Sequence, residues 1–428
     1  MNPASGFNDN AHQQQEMTCP GHGGRGQTEA SEWMVIRMAS PTDNQKKIFA
    51  VAALANIGNT QSGLFAPADT LNGIKTALST MQGQIGTWDV VWGPSLSLGL
   101  DSKGNLVSNN TMYVAQKANT HDYVIGIAGT SGNSPVDFLV EDNWVTSTVL
   151  WSTVIGSVAP SAARDAGNAA ISQGTAIGLN NLLSTMPWIG IPGALSTIES
   201  FLAAESSKGP MNLTVCGHSL GGALAPALAL YLQNTKSTWD ENGSSTVITM
   251  PVAGPTPGNG DFASYLSKTV TVQGFYNPFD VVPHAWAPTD LGQIPKLYVP
   301  QIPECWEVDA LGLVAVGLSV VGTGTGSPYT PTARATLDGA KICTDIITGG
   351  DAFKDFLAQL GYQHLNAYAT LLGPAGTETL LAQVLRGTYT DQISANVAAA
   401  IEKQAGRTIP SSIQVAPRSQ VKRVASAK

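Results

Sequence analysis

The sequence predicts an α/β fold in which helices flank a mainly parallel central sheet. Near-continuous apolar runs, such as "DYVIGIAGT" at 122–130 and "TVITMPVAGP" at 246–255, are typical of strands covered on both faces. Stretches rich in Ala, Leu and Ile separate these runs, and alternating strands and helices favour a parallel sheet.

The individual elements follow along the chain. Residue periodicity predicts helices near 33–57 and 70–83, and two alternating runs on either side of "DSKGN" predict a β-hairpin. The region 145–204 is expected to be mostly helical, with a break near Pro187–Pro192. The remaining predicted elements are a strand ending at 213–215, a helix over 220–232, and strands in "TVITMPVAGP" and "TVTVQGFYNP".

Composition argues against several classes of function. Hydrophobic residues make up 43% of the 428 residues, enough for a sizeable core, whereas charged residues make up only 12%. A net charge of −8, with no basic stripe before the last dozen residues, argues against nucleic-acid binding. No two of the four cysteines form a C-x-x-C pair, so a zinc site is not expected. Spacing alone leaves open whether Cys305 and Cys343 form a disulfide.

The chain is predicted to form one domain with two tails. Residues 1–28 are polar and are expected to be mobile, 29–414 form the domain, and 415–428 form a basic tail. The first residues lack the pattern of a signal peptide, and no apolar run reaches the roughly 20 residues of a membrane span. The sequence leaves the oligomeric state open.

The segment "TVCGHSLGGALA" (214–225) carries the strongest chemical signal. The pattern G-x-S-x-G alone is weak, but an apolar strand precedes it here and an Ala/Leu-rich helix follows it. That order is typical of a nucleophile elbow, in which Ser219 adopts a strained turn while Gly217 and Gly221 let neighbouring chain pass closely. The helix N-terminus would then direct free N–H groups towards a developing oxyanion.

A serine nucleophile needs a general base, and the base needs an acid that fixes its tautomer. In α/β-hydrolases the order is Ser, then Asp or Glu, then His, and only His284 and His364 follow Ser219. Asp280 directly follows a predicted strand, at the edge where catalytic loops gather, and is the favoured acid. His364, expected on a loop just before a helix, is the favoured base, with His284 as the alternative.

Further candidates surround these residues. The backbone N–H of Leu220 and the N–H or hydroxyl of Thr130, at the end of the strand 122–128, would form an oxyanion hole. His218 is expected to be a packing or rim residue, and His284 beside Trp286 a residue of the cleft wall. These three side chains are the candidate substrate contacts. The mechanism requires neither a metal nor an organic cofactor.

Four segments in order resemble the class 3 (fungal-type, Rhizomucor-like) lipase family of the α/β-hydrolase superfamily. They are "DYVIGIAGTSG", "TVCGHSLGGALA", "MPVAGPTPGNGDFASY", and "YNPFDVVPHAW" with "YQHLNAY", within about 110–372. The resemblance implies an α/β-hydrolase fold with a helical lid-like insertion and a triad of Ser219, Asp280 and His364. It also implies an oxyanion hole at Thr130 and Leu220, hydrolysis of esters of apolar acyl chains such as acylglycerols, a possible lipid–water interface, and a secreted location.

The chain departs from the family pattern in two ways. Ala128 stands where the family usually has an arginine before the oxyanion Gly-Thr. The long insertion near 145–200 offers two lid candidates, 148–163 and 182–195, with Trp151 or Trp188 facing lipid, and 305–350 is a further insertion. Alternative functions are a short-chain, feruloyl or polyester esterase, a phospholipase, or a lipase-like binding scaffold without turnover.

Overall fold

The chain is described from a computed structural model that covers residues 38–100, 106–129, 145–324, 326–387, 389 and 392–415. All of these residues belong to one compact unit. The expected tails at 1–28 and 415–428, apart from residue 415, and the hairpin turn at 101–105 lie outside the described residues, as does Thr130.

Among the described residues, nine strands form the central sheet, in the order β1-β11-β10-β8-β7-β4-β3-β2, with β9 paired to β8. The strands of this sheet are β1 Met38–Ala39, β2 Trp88–Leu100, β3 Leu106–Lys117, β4 Asp122–Ile127, β7 Asn212–His218, β8 Thr246–Val252, β9 Thr271–Val272, β10 Gly274–Tyr276 and β11 Arg334–Leu337. Pairing is antiparallel between β2 and β3 and between β3 and β4, and parallel elsewhere. The mainly parallel sheet and the hairpin are confirmed.

Helices cover both faces of this sheet, as continuous apolar strands require. The α-helices of the described residues are α1 Asp43–Ala53, α2 Ala66–Thr80, α3 Gln82–Ile85, α4 Trp151–Ile155, α5 Pro160–Asp165, α6 Gln173–Ser184, α7 Ile198–Ser206, α8 Leu220–Asn234, α9 Lys236–Trp239, α10 Gly260–Thr269, α11 Pro288–Leu291, α12 Trp306–Thr323, α13 Ala352–Gly361, α14 Ala367–Leu371, α15 Glu378–Arg386 and α16 Ala395–Ala405. Val124 packs in the core on the side of α1, and the next residue, Ile125, in the core on the side of α8.

The region 145–204 is more varied than its composition predicts. Besides α4 to α7 it contains two short antiparallel strands, β5 Thr148–Leu150 and β6 Ala170–Ser172, and the predicted break lies between α6 and α7. Trp151 is fully buried, and its indole N–H donates to the side chain of Asn234 at 2.8 Å. It therefore faces the core and not lipid. Trp188, in the break, is 39% exposed.

The second insertion, 305–350, contains the apolar helix α12. Its 18 residues have a mean hydropathy of 1.4, so by length and composition alone it is long enough to cross a membrane. A core helix passes the same test, and 39% of this one is buried within the protein. Leu313, Val320 and Val321 are exposed on it. Cys305 and Cys343, which bracket α12 and β11, are free thiols.

Helix α8 lies directly against the end of strand β8. A methyl group on Gly222, in the first turn of α8, would lie 2.4 Å from the carbonyl oxygen of Val252 and 2.8 Å from Cα of Gly254. Both distances are far below van der Waals contact, so only glycine fits here. Twelve consecutive residues of α8, from Gly221 to Leu232, are buried, and the helix continues through Pro226.

We expect Gly222→Ala to lower the free energy of unfolding by about 2 kcal/mol or more, because overpacking against rigid backbone typically costs about 1–3 kcal/mol. Urea unfolding followed by circular dichroism measures the change. Gly83→Ala is the matched control: no atom lies within 4 Å of its added methyl group. It should be neutral or stabilising by about 0.5 kcal/mol. Equal losses in the two variants would contradict the packing argument.

Candidate active site

Ser219 lies in the sharp turn between β7 and α8. Its backbone has φ 61° and ψ −126°, a conformation rare for a residue with a side chain, and its N–H donates to the carbonyl of Val252 at 3.1 Å. Its carbonyl accepts the N–H groups of Gly222 and Ala223 at 2.8 and 3.2 Å. The turn is therefore held on both sides, and the serine side chain stands at the carboxyl edge of the sheet.

The glycines on either side of Ser219 are required by close backbone contacts. A methyl group on Gly217 would lie 2.4 Å from the carbonyl oxygen of Gly221. One on Gly221 would lie 2.3 Å from the carbonyl oxygen of Ile127, at the end of β4. The strand–turn–helix geometry predicted from "GHSLG" is thus confirmed, together with the close approach that both glycines were expected to permit.

Three predicted residues form one hydrogen-bonded chain. His364 Nε2 lies 2.8 Å from Ser219 Oγ, and His364 Nδ1 lies 2.9 Å from Asp280 Oδ2. Because a carboxylate only accepts, Nδ1 carries the proton, and Nε2 is left to accept from the serine hydroxyl. Asp280 is completely buried and His364 nearly so. The arrangement can remove a proton from the serine and place positive charge beside a fixed carboxylate.

The local structure at His364 differs from the predicted loop. Residues Tyr362–Asn366 form one π-helical turn between α13 and α14, so His364 lies within a continuous helical segment. A π turn accommodates one extra residue in the helix and changes the direction in which its side chains point. The prediction of a loop was wrong, although the expected helix does follow the histidine.

A buried tyrosine and two backbone contacts hold the acid. Tyr368 donates from its hydroxyl to Asp280 Oδ2 at 2.9 Å, and the N–H of Val282 donates to Oδ1 at 3.0 Å. His284 Nδ1 donates to the carbonyl oxygen of Asp280 at 2.8 Å. Burial, and then the nearby Asp280 carboxylate, raise the pKa of Tyr368 well above its usual 10.0, so its hydroxyl stays a donor. The first two contacts fix the direction of the carboxylate, and the third holds the main chain of Asp280.

A network of side-chain amides joins the acid segment to the histidine segment. Asn277 donates to the side-chain oxygen of Gln363 at 2.7 Å and to its carbonyl at 3.1 Å, while its own N–H donates to Tyr368 at 2.9 Å. Gln363 donates in turn to Gln359 at 3.0 Å and to the carbonyl of Lys341 at 2.9 Å. Asn277, Gln359 and Gln363 are fully buried, so each bond is shielded from water.

His218 packs beneath the base. Its ring lies 4.8 Å from that of His364, and its Nε2 donates to the carbonyl oxygen of His364 at 2.8 Å. Burial, followed by the charge of His364, lowers the pKa of His218 well below 6.5, so the ring is neutral near pH 7. The expected packing role fits this position, and a contact with substrate stays a prediction.

His284 and Trp286 are also buried, at 5% and 1% exposure. Burial is the main cause that lowers the pKa of His284, and Arg334 nearby contributes to it. Trp286 has a positive φ of 77°, and its carbonyl accepts from Ser319 at 2.5 Å. Both side chains are thus enclosed by the protein, and their expected substrate contacts stay predictions. His284 does not contact Ser219 through any observed hydrogen bond, whereas His364 does.

The oxyanion hole is described only in part. Leu220 is the first residue of α8, where a backbone N–H has no carbonyl partner within the helix. Thr130 lies outside the described residues, but its neighbour Gly129 contacts the elbow: a methyl group there would lie 3.0 Å from Cβ of Ser219. Within the described part of the chain, no group of three or more His, Cys, Asp or Glu is placed to hold a metal ion.

Sequence reasoning missed the residues that orient the triad. Tyr368 follows His364 by four residues, which is one helical turn, and this spacing was the available signal. Asn277 precedes Asp280 by three residues within "YNPFD". Neither signal is specific, because the contacts depend on how the two segments pack.

The chain matches the family described as lipase (class 3) over residues 181–289, which include Ser219 and Asp280. It is similar to M37 lipase, with 25% identity and a TM-score of 0.61 over 79% of this chain and 98% of that one. Lipase II from Rhizopus niveus shows 17% identity, a TM-score of 0.39, and coverage of 58% and 78%. The lipase from Rhizopus microsporus var. chinensis shows 15% identity and a TM-score of 0.39, over 60% of this chain and 79% of that one. None of the curated proteins matches.

We expect His218 and His284 to reduce stability in acid. Because the pKa of each ring is lowered in the folded state, the unfolded chain binds protons that the folded protein does not. The free energy of unfolding should therefore be highest above pH 6.5 and fall as the pH drops below it. The slope is up to about 1.4 kcal/mol per pH unit for each histidine.

Urea unfolding between about pH 7.5 and pH 5 measures this slope. His218→Gln and His284→Gln should each make it shallower, whereas His121→Gln, at an exposed turn, serves as the matched control. If neither His218→Gln nor His284→Gln changed the pH dependence of the free energy of unfolding, the lowered pKa values of these two histidines would be contradicted.

Proposed function

We propose that the chain is a carboxylic ester hydrolase of the class 3 lipase type, which cleaves esters of apolar acyl chains, such as acylglycerols, through a covalent acyl-enzyme. The match to the class 3 lipase family over residues 181–289 and the likeness to M37 lipase support this proposal. In this proposal Ser219 is the nucleophile, His364 the general base and Asp280 the acid that orients it. The observation that carries it is the continuous chain from Ser219 Oγ through both nitrogens of His364 to Asp280.

In the first half of the reaction, Ser219 Oγ attacks the ester carbonyl carbon while its proton passes to His364 Nε2. The imidazolium that forms is stabilised by Asp280, whose carboxylate is already directed at Nδ1. The negative charge on the former carbonyl oxygen is stabilised by the N–H of Leu220 and, in this proposal, by Thr130. Collapse of this intermediate expels the alcohol, which takes the proton from His364.

In the second half, water replaces the alcohol. His364 Nε2 accepts a proton from the water, whose oxygen attacks the acyl carbon, and the same donors stabilise the second oxyanion. Ser219 Oγ leaves as the carboxylic acid is released and recovers its proton from His364. Nδ1 keeps its proton throughout, because Tyr368 and Val282 hold the Asp280 carboxylate in one direction.

The exposed apolar side chains favour 182–195 over 148–163 as the lid and lipid-contacting segment. Met186, Trp188, Ile189 and Leu195 are exposed within or beside the break between α6 and α7. In the other candidate, 148–163, two large apolar side chains, Leu150 and Val158, are exposed, and Trp151 is fully buried. Exposed apolar side chains in one segment are typical of a surface that contacts apolar partners. The segment 182–195 therefore supports the proposal that the substrate is insoluble in water.

We expect Ser219→Ala to reduce hydrolysis of p-nitrophenyl esters by about 10⁴-fold or more, because no other group in the proposed site forms the acyl-enzyme. A series from acetate to palmitate, with and without emulsified substrate, measures the acyl preference. His364→Ala should match this loss and His284→Ala should not. Full activity in Ser219→Ala would refute the mechanism, and a preference for acetate without interfacial gain would indicate a short-chain esterase.

We expect Tyr368→Phe to lower kcat by about 3- to 30-fold with little change in KM, because Asp280 loses one of the donors that orient it. The backbone N–H of Asn277 also loses its acceptor, at a cost of about 1–3 kcal/mol in stability. Steady-state kinetics and thermal unfolding measure the two effects. Tyr231→Phe is the matched control, because it removes a hydroxyl of α8 that is bonded to Glu199 of α7. An unchanged kcat in Tyr368→Phe would show that this donor is dispensable.

A further inference from the structure

We propose that Asn56 and Asn59 are positioning residues that fix the main chain of Gly129 beside the turn that carries Ser219. This inference rests on the proposed function. Both asparagines lie in "LANIGNT", the 3-10 helix Leu54–Thr60 that follows α1, a segment to which the sequence assigns no chemistry.

Gly129 lies where the chain leaves the central sheet. The N–H of Ala128 still donates to the carbonyl of Thr111 on β3, at 3.0 Å. The next N–H, that of Gly129, donates instead to the side-chain oxygen of Asn56 at 2.9 Å. The carbonyl of Gly129 accepts from the side-chain nitrogen of Asn59 at 3.2 Å. Side chains of one short helix therefore bind both polar groups of this residue.

The amide of Asn56 is itself held in one orientation. Its nitrogen donates to the carbonyl of Ala53 at 2.8 Å, and its oxygen also accepts from Asn59 at 3.3 Å. The reverse orientation would place its NH₂ against the N–H of Gly129, a contact of two donors. Asn56 is 3% exposed, so water does not replace these bonds. It acts as a fixed acceptor for Gly129.

The short helix is held on the sheet by a close contact. A methyl group on Gly58, between the two asparagines, would lie 2.4 Å from the hydroxyl oxygen of Thr111. That hydroxyl lies 2.8 Å from the hydroxyl of Ser108 on the same strand. Glycine thus lets the helix lie directly on β3, and this places the two asparagines beside the end of β4.

A shift of Gly129 would be transmitted to the nucleophile. A methyl group on Gly129 would lie 3.0 Å from Cβ of Ser219 and 3.1 Å from the carbonyl of His218. Catalysis by oxyanion donors depends on their position to within a fraction of an ångström. Two neutral amides hold the chain here, next to Ala128 where the family usually has an arginine. They do so without adding charge beside the developing oxyanion.

The test measures transition-state binding separately from folding. An alkyl boronic acid forms a tetrahedral adduct with an active-site serine and occupies the oxyanion hole. We expect Asn56→Ala to lower kcat/KM by about 10- to 100-fold and to raise the Ki of the boronic acid by a similar factor. Asn59→Ala, at a partly exposed position, should also lower kcat/KM and raise Ki, each by about 3- to 10-fold.

Asn234→Ala is the matched control. This asparagine is bonded to the side chains of Trp151 and Tyr265 at the far end of α8 from Ser219. The Asn234→Ala variant should have a lower melting temperature, with kcat/KM and Ki within about twofold of wild type. If Asn56→Ala does not fold, Asn59→Ala carries the test. Wild-type Ki values in every folded alanine variant at positions 56 and 59 would overturn the inference.

The two proposals fail differently. If wild type hydrolyses esters in a Ser219-dependent way while the asparagine variants keep their kcat/KM and Ki, only the positioning role is refuted. If Ser219→Ala retains the activity, the proposed function itself is refuted. A fall in log kcat/KM that is matched by an equal rise in log Ki across the asparagine variants, and that is absent in Asn234→Ala, supports the inference. A merely structural loss would not follow the binding of the transition-state analogue.

Discussion

The close approach of β7, α8 and the end of β4 around Ser219 is the constraint on which the rest of the site depends. Held at φ 61°, this serine costs about 1–3 kcal/mol in backbone strain. Burial of nearly the whole of α8 offsets that cost, provided that glycine stands at 217, 221 and 222. The Ser219 hydroxyl is then fixed at the edge of the sheet, and Asp280 and His364 have to be brought to it.

The acid and the base reach this edge from segments that are distant in sequence. Asp280 follows the short strand β10, and His364 comes from a π turn 84 residues later. Besides the bond between these two residues, the segments are joined by hydrogen bonds of Asn277, Gln363 and Tyr368. Buried amides and a phenol bond in few directions, which makes the relative position of the two segments specific.

Features built from consecutive residues could be predicted from the sequence, whereas features that depend on contacts between distant segments could not. The elbow was predictable because its strand, turn and helix are consecutive, and its steric needs show as glycines. Chain order and strand ends indicated Asp280 and His364. The π turn and the burial of Trp151 were not predictable, because both depend on the packing of separate segments. The hydrogen bond between Gly129 and Asn56 joins positions 73 residues apart, and no local sequence pattern indicates it.

The side chains that orient the triad share a chemical property: they are neutral. Tyr368, Asn277 and Gln363 donate or accept without formal charge, and His218, stacked at 4.8 Å from His364, is kept neutral by burial. In a low-dielectric site a second cation there would oppose protonation of His364. Among the described residues, Asp280 is the charged group within hydrogen-bond distance of the base. In the proposed mechanism, stabilisation of the imidazolium therefore rests on the Asp280 carboxylate, while neutral groups set the geometry.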